Sequence, residues 1–271
     1  MTPIQLYEGI YVKREDLCFD PPAPPFSKCR GIILHLLKLK KQGVTTVGYT
    51  ETSISMAGWG LAWACKELGL KLVIFDPQYK ETPPTLAYHR EQWKKFNVII
   101  EPIPAGMAKV NLYISQKILF SKYDSCVHLP LGLPFPETIE ATKEEVWKTL
   151  RGSTIRFKTI VVCVGSGTIC AGILKALGNW TYKYNVIGVM TRTGNIEEKK
   201  KRIQEKAGFM NGFFKPNLNF QLIDPGWEYT DKSLIQVPFP CHEYYDAKAW
   251  QWLTENKNTL KAPILFWNIG H

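Results

Sequence analysis

The chain has 271 residues, 45% hydrophobic and 21% charged, which is typical of a globular protein with one large domain or two smaller ones. No run of about 18 apolar residues occurs and the N-terminal residues do not resemble a signal peptide, so we expect neither a membrane span nor secretion. The seven scattered cysteines form no Cys-x-x-Cys pair, which argues against a metal site and favours a reducing cytoplasm.

The formal net charge of +10 is less common among metabolic enzymes. A basic surface attracts polyanions such as nucleic acid, or an anionic substrate. The alternative is that the charge only maintains solubility, since the lysines are spread along the chain. The nearest approach to a basic block, residues 199–202, follows Glu197 and Glu198 and is typical of an exposed helix face. Nucleic-acid binding therefore stays open.

The apolar residues follow strand and helix periods in alternation. In chain order they predict a strand and turn at 10–17, a helix at 31–41, strands at 45–49, 72–75 and 98–100 with helices at 57–68 and 85–96 between them, and then a strand at 159–164, a helix at 168–177 and a strand at 185–189. Gly69 is placed to end the second helix in the left-handed conformation. Residues 205–240, rich in Phe, Pro, Asn and Gly, give no clear assignment.

This alternation predicts the α/β class, with mostly parallel sheets covered by helices on both faces. We expect two three-layer domains. The larger combines residues 1–41 with 127–271, and the smaller, residues 42–126, is inserted between them. Ligands of such sheets bind outside the carboxyl ends of the strands, which is where the loop beginning at Gly165 falls.

Two motifs far apart in the chain indicate one cofactor. Lys28 stands just before the first helix, and the glycine-rich segment Gly165-Ser166-Gly167-Thr168 follows a buried strand and begins another helix. A lysine amine can condense with an aldehyde, and backbone N–H groups at a helix N-terminus can bind a phosphate. Pyridoxal 5′-phosphate (PLP) carries both groups, so we predict PLP as the cofactor.

Six motifs in order then resemble the fold-type II PLP enzymes, the tryptophan synthase β-like group. Closest in pattern are 1-aminocyclopropane-1-carboxylate (ACC) deaminase, D-cysteine desulfhydrase and threonine dehydratase. The motifs are residues 12–17, 26–31, 58–69, 165–168 with Gly172, 245–249 and 265–270. Each is weak alone, and their shared order carries the resemblance.

The resemblance implies a role for each motif. Lys28 is the Schiff-base lysine, whose pKa must fall below its usual value of about 10.4, through burial and the neighbouring Arg30. Once substrate displaces it, the amine can act as a base at the α-carbon. The cofactor phosphate is expected on residues 165–168, where the alternative is a tight turn without a ligand. Tyr245 is a candidate to contact substrate or donate a proton, and otherwise a half-buried aromatic residue.

The segment containing Ser53, Ser55, Met56 and Ala57 is expected to face the substrate carboxylate, with Ser55 as the hydroxyl contact. The alternative is an ordinary helix cap, since serine is a favoured capping residue. Relatives carry an asparagine where Met56 stands, and methionine cannot donate the hydrogen bond to the cofactor's phenolic oxygen.

A second departure concerns the pyridine nitrogen, whose partner in relatives is often Thr or Ser. Ile269 falls at that position here, with Asn268 beside it. An apolar partner would leave the ring nitrogen unprotonated and weaken the cofactor as an electron acceptor.

These residues predict a PLP-dependent lyase, deaminase or decarboxylase that acts at the α-carbon of an amino acid. One alternative is a divergent, phage-encoded enzyme acting in the host cytoplasm on an amino-acid group attached to thymine in DNA, which the basic charge favours. Another is a pseudo-enzyme that only binds ligands, suggested by Met56 and Ile269. By resemblance we expect a homodimer, and the scattered cysteines favour the cytoplasm.

Overall fold

The computed structural model describes residues 1–178, 180–209 and 218–271. Its strands are β1 (Ile4–Tyr7), β2 (Ile10–Arg14), β3 (Thr46–Thr50), β4 (Lys71–Gln78), β5 (Ile99–Pro104), β6 (Cys126–His128), β7 (Thr159–Val164), β8 (Tyr184–Met190), β9 (Leu218–Ile223) and β10 (Ile264–Asn268). Its helices are α1 (Cys29–Lys41), α2 (Ala57–Leu68), α3 (Pro84–Lys94), α4 (Ala108–Lys122), α5 (Pro136–Gly152), α6 (Thr168–Leu177), α7 (Ile196–Ala207) and α8 (Asp246–Asn256).

The chain forms two compact units. The first contains residues 1–20, 25–30 and 135–271, and the second contains 21–24 and 31–134. These boundaries differ from the predicted ones at both ends of the insertion. β6 pairs with β3, so the chain up to residue 134 stays with the second unit, and most of α1 also belongs there.

The first unit is built on a six-stranded sheet in the order β1-β2-β10-β7-β8-β9. Only the β1–β2 pair is antiparallel, and the other neighbours run parallel. Every residue of β7 and of β10 is buried, as expected for parallel strands covered on both faces. Because β7 and β10 are parallel neighbours, the segments that follow Val164 and Asn268 emerge side by side at one edge.

The second unit has a four-stranded sheet in the order β5-β4-β3-β6, parallel throughout. Between β3 and β4, α2 begins at Ala57 and is ended by Gly69, whose φ of 65° is the left-handed conformation predicted for it. Both sheets therefore confirm the α/β class with mostly parallel strands.

Gly172 is a packing residue rather than part of the phosphate loop. It lies within α6, where a Cβ atom would stand 2.5 Å from Thr142 Cβ and 2.9 Å from the backbone oxygen of Ile139, both on α5. The absence of a side chain at Gly172 therefore lets α5 and α6 pack closely.

Gly172→Ala should lower the free energy of unfolding by about 1–3 kcal/mol, because overpacking outweighs the helix propensity of about 1 kcal/mol that alanine gains. Denaturant titration measures this change. A more stable variant would contradict the close packing of α5 on α6.

Among the described residues, no helix is long and apolar enough to cross a lipid bilayer. The same residues contain no group of three or more His, Cys, Asp or Glu side chains arranged to hold a metal ion.

Candidate active site

Residues at the end of the chain position Lys28. The backbone N–H of Ser27 donates to the carbonyl of Ile269 at 2.9 Å, and Phe26 bridges to Gly270. A Cβ atom at Gly270 would lie 2.3 Å from the carbonyl oxygen of Pro25, so glycine permits this approach. Since β10 neighbours β7, the pairing brings Lys28 to the edge where the Gly165 loop begins.

The two motifs meet at this edge of the first unit. Lys28 Nζ lies 3.3 Å from Ser166 Oγ, although 138 residues separate them in sequence. Burial, with a smaller contribution from the positive charges of Lys206 and Lys199, lowers the pKa of Lys28 to about 8. A substantial fraction of this amine is therefore neutral near physiological pH, as a nucleophile requires.

The expected contribution of Arg30 to this pKa is wrong. The Arg30 guanidinium pairs with Glu15 and lies 3.7 Å from Glu145, so neighbouring carboxylates take up its charge. The cations near Lys28 come instead from Lys199 and Lys206 on α7, the helix whose basic residues 199–202 are typical of an exposed face.

The loop from Gly165 to Thr168 has the features of an anion site. Gly167 has a φ of 79° and caps α6, which lacks a side-chain hydrogen bond to its first N–H groups. The hydroxyls of Ser166 and Thr168 lie 3.0 Å apart, and Lys206 Nζ donates to the Ser166 carbonyl at 2.7 Å. The N–H groups without a side-chain cap, the two hydroxyls and the nearby cations are suited to a phosphate.

Asp246 is a buried carboxyl to which no sequence motif assigns a role. Its Oδ1 accepts a hydrogen bond from the Ile269 N–H at 2.8 Å and another from Cys163 Sγ at 3.4 Å. Burial raises its pKa to about 7. Asp246 and Lys28 also interact electrostatically, so an acid and an amine with converging pKa values share one site.

The two residues predicted at the ring nitrogen connect to different carboxyls. Ile269 reaches Asp246 through its backbone, as described above. The Asn268 side chain donates instead to Asp16 Oδ1 and to the Pro240 carbonyl, each at 2.9 Å, and is fully buried. The placement of Asn268 suits a structural link between β10 and the N-terminal segment.

Tyr245 packs on the phosphate loop. A Cβ atom at Gly165 would lie 3.3 Å from the Tyr245 ring, whose hydroxyl lies 3.1 Å from that of Tyr229. The His242 ring packs against the Tyr245 ring with centroids 4.8 Å apart. Tyr245 therefore lies at the site, and its role in catalysis stays a prediction.

In the second unit, the segment before α2 is arranged around the carboxyl of Glu51, to which no sequence motif assigns a role. Glu51 accepts hydrogen bonds from the N–H groups of Thr52 and Gly58, each at 2.8 Å, and burial raises its pKa to about 8. Ser55 Oγ accepts from the Ala57 N–H at 3.1 Å, which matches the capping alternative. Met56 is buried at the helix start. Contact of Ser55 and Met56 with ligands stays a prediction.

The residues of the first unit fit PLP. The cofactor needs an amine for its aldehyde, donors for its phosphate and a partner for its ring nitrogen. Lys28, the loop from Gly165 to Thr168 and the buried carboxyl of Asp246 would supply these groups in turn. In addition, Ser27 Oγ is buried without a hydrogen-bond partner in the described part of the chain, leaving one donor for a ligand.

The lowered pKa of Lys28 predicts how the apoenzyme captures PLP. The rate should rise with pH and level off above about 8, because only the neutral amine attacks. Lys206→Gln should shift the midpoint to higher pH by removing a neighbouring positive charge, whereas Lys201→Gln, on an exposed part of α7, should not. Stopped-flow absorbance measures both, and a midpoint near the ordinary value of about 10.4 would contradict the burial of Lys28.

Comparison with known proteins gives the same cofactor. No family model matches the sequence. The chain is 34% identical to the glycyl-dTMP PLP-dependent decarboxylase of Pseudomonas phage M6, over 99% of this chain and 98% of that protein.

Solved structures show the same fold at low identity. An ACC deaminase homologue superposes with a TM-score of 0.79 at 20% identity, covering 99% of this chain and 89% of its own. A hydrogen sulfide-producing enzyme from Fusobacterium nucleatum superposes with a TM-score of 0.69 at 14% identity, covering 99% of this chain and 94% of its own. O-ureido-L-serine synthase superposes with a TM-score of 0.69 at 14% identity, covering 99% of this chain and 88% of its own.

The predicted fold, cofactor and enzyme class are thus confirmed, and the alternative of a pseudo-enzyme is not supported. From its identity to the phage decarboxylase along nearly the whole length of both chains, this protein belongs to that family of fold-type II PLP-dependent enzymes.

Proposed function

We propose that this enzyme decarboxylates an amino-acid group carried on a thymine nucleotide. The observation that carries the proposal is the identity of 34% to the glycyl-dTMP decarboxylase, which spans both chains almost completely. Of the predicted reactions, it favours decarboxylation over deamination or another lyase reaction. Of the predicted substrates, it favours an amino-acid group on thymine over an unattached amino acid. The net charge of +10 supports an anionic substrate of this kind.

Each residue of the site then has a task. Lys28 holds the cofactor, and residues 165–168 bind its phosphate through N–H groups and hydroxyls. When bound, PLP accepts the electron pair left by the bond that breaks at the substrate's α-carbon. We assign the ring nitrogen to Asp246 rather than to Ile269, because a carboxylate can hold a proton on that nitrogen and an alkyl chain cannot.

Loss of CO2 leaves the α-carbon in need of a proton. The Nζ atom of Lys28, with a pKa of about 8, carries a proton in much of the population at neutral pH and can deliver it there. The substrate must present a primary amine and a carboxylate on the same carbon, since the amine has to displace Lys28. Ser55 and Tyr245 remain proposed substrate contacts.

The test is to supply the PLP-loaded enzyme with glycyl-dTMP and to measure released CO2 together with the nucleotide product by mass spectrometry. We expect one CO2 per product and no release of ammonia. Ammonia without CO2, or turnover only of unattached amino acids, would overturn the proposal in favour of a deaminase or lyase. A homodimer remains a proposal from the family resemblance, and a place in the cytoplasm, of the host if the gene is phage-borne, remains a proposal from the scattered cysteines.

A further inference from the structure

One face of α7 brings positive charge to the edge of the cofactor site. Lys199, Arg202 and Lys206 recur at the spacing that places side chains on the same side of a helix. The buried Ile203, beside Arg202 on the helix, packs on the phosphate loop: its Cγ1 atom would lie 2.6 Å from a Cβ atom at Gly167. Lys206 Nζ contacts the Ser166 carbonyl. We call Lys199, Arg202 and Lys206 the α7 cation cluster.

The cluster carries more positive charge than the surrounding acids neutralise. Arg202 pairs with Glu198, whereas Lys199 and Lys206 make no ion pair with a carboxylate in the described ranges. Burial lowers the pKa of both lysines, and neighbouring cations lower it further: Arg202 and Arg192 for Lys199, and Lys199 and Arg202 for Lys206. A bound anion would relieve this repulsion.

The cofactor alone does not account for the cluster. The start of α6 already offers its phosphate uncapped N–H groups and the hydroxyls of Ser166 and Thr168. Arg202 is exposed, so its guanidinium faces the solvent from which a large substrate arrives. The planar guanidinium is also the side chain best shaped to bind a phosphate through two hydrogen bonds.

We propose that the α7 cation cluster binds the phosphate of the nucleotide that carries the amino-acid group. This inference rests on the proposed function, because it assumes that the substrate is a nucleotide. The phosphate can be the monoester of a single nucleotide or a diester within DNA, and the two share the chemistry recognised here.

The experiment measures binding to the PLP-loaded enzyme by calorimetry. The probes are dTMP, thymidine and a short single-stranded oligothymidylate. The test variant is Lys199→Gln/Arg202→Gln, which leaves Lys206 in contact with the loop. Its matched control, Lys201→Gln/Lys261→Gln, removes two exposed charges outside the cluster. Circular dichroism and thermal unfolding confirm that both variants fold.

We expect the wild type and the control to bind dTMP more tightly than thymidine by roughly tenfold or more, and the test variant to lose most of this preference. If the test variant loses affinity for oligothymidylate as much as for dTMP, the cluster also binds a phosphodiester. If it loses affinity only for dTMP, the cluster binds the monoester.

Three results would overturn the inference: equal binding of dTMP and thymidine by the wild type, an unchanged preference in the test variant, or a loss of PLP affinity without a loss of dTMP preference. The last would assign the cations to the cofactor. If the dTMP preference holds but glycyl-dTMP releases no CO2, the proposed reaction fails while the phosphate site stands.

Discussion

Lys28→Ala should reduce turnover by a factor of roughly 10³ or more, because the variant loses both the covalent attachment of PLP and the amine that moves the proton. The purified variant should also lack the absorbance band of lysine-bound PLP. Steady-state rates and absorbance spectra of the reconstituted protein measure these effects. The loss should exceed that of any other single substitution at the site.

Lys206→Ala provides the matched comparison, since this second lysine also contacts Ser166. It should retain the absorbance band, since the covalent link to PLP forms on Lys28. If Lys206→Ala abolished the band while Lys28→Ala kept it, the assignment of the attachment site would be wrong. Thermal unfolding of both variants shows whether either loss arises from misfolding.

Asp246→Asn should lower kcat by about 100-fold while PLP stays bound, because the variant keeps its size but loses its negative charge. The amide oxygen can still accept from the Ile269 N–H and Cys163, so the local fold should persist. Asp246→Glu, which keeps the charge, should retain more activity. Asp20→Asn, at an exposed carboxyl, serves as the control.

The pH dependence of the unfolding free energy provides an independent test of the raised pKa of Asp246. Its pKa rises from 3.8 to about 7 on folding, so between these values the folded apoenzyme binds more protons than the unfolded chain. Unfolding free energy should therefore fall as pH rises through this window, by at most about 1.4 kcal/mol per pH unit from this group. Asp246→Asn should remove that part of the slope. If the slope of unfolding free energy against pH were the same in Asp246→Asn, Asp246 would not titrate between pH 3.8 and about 7. An unchanged kcat would contradict its role at the ring nitrogen.

Local sequence signals predicted much of the framework. The buried strand before Gly165 and the left-handed Gly69 are encoded in short segments, and the structure has them in the expected places. The Lys28 and Gly165 motifs could likewise be recognised separately. Their proximity had to be inferred from the two groups of one cofactor and from the family resemblance, because the chain brings them together through the pairing of Phe26 with Gly270, far apart in sequence.

The missed features depend on contacts between distant segments. Asp246 gains its raised pKa from burial beside Cys163 and Ile269, which stand 83 and 23 residues away. A lone aspartate at a helix start has no local pattern that distinguishes it from a solvated one. Similarly, the family resemblance groups Gly172 with the phosphate loop, whereas its close packing against α5 indicates a structural role. Nothing local indicated that Arg30 would pair with Glu15.

The most direct test of the central claim is to reduce the PLP-loaded enzyme with sodium borohydride and to map the labelled peptide by mass spectrometry. The account predicts a single pyridoxyl group on Lys28, whose amine lies 3.3 Å from Ser166 in the phosphate loop. A label on Lys199 or Lys206, or protein that takes up PLP without any reducible link, would contradict it.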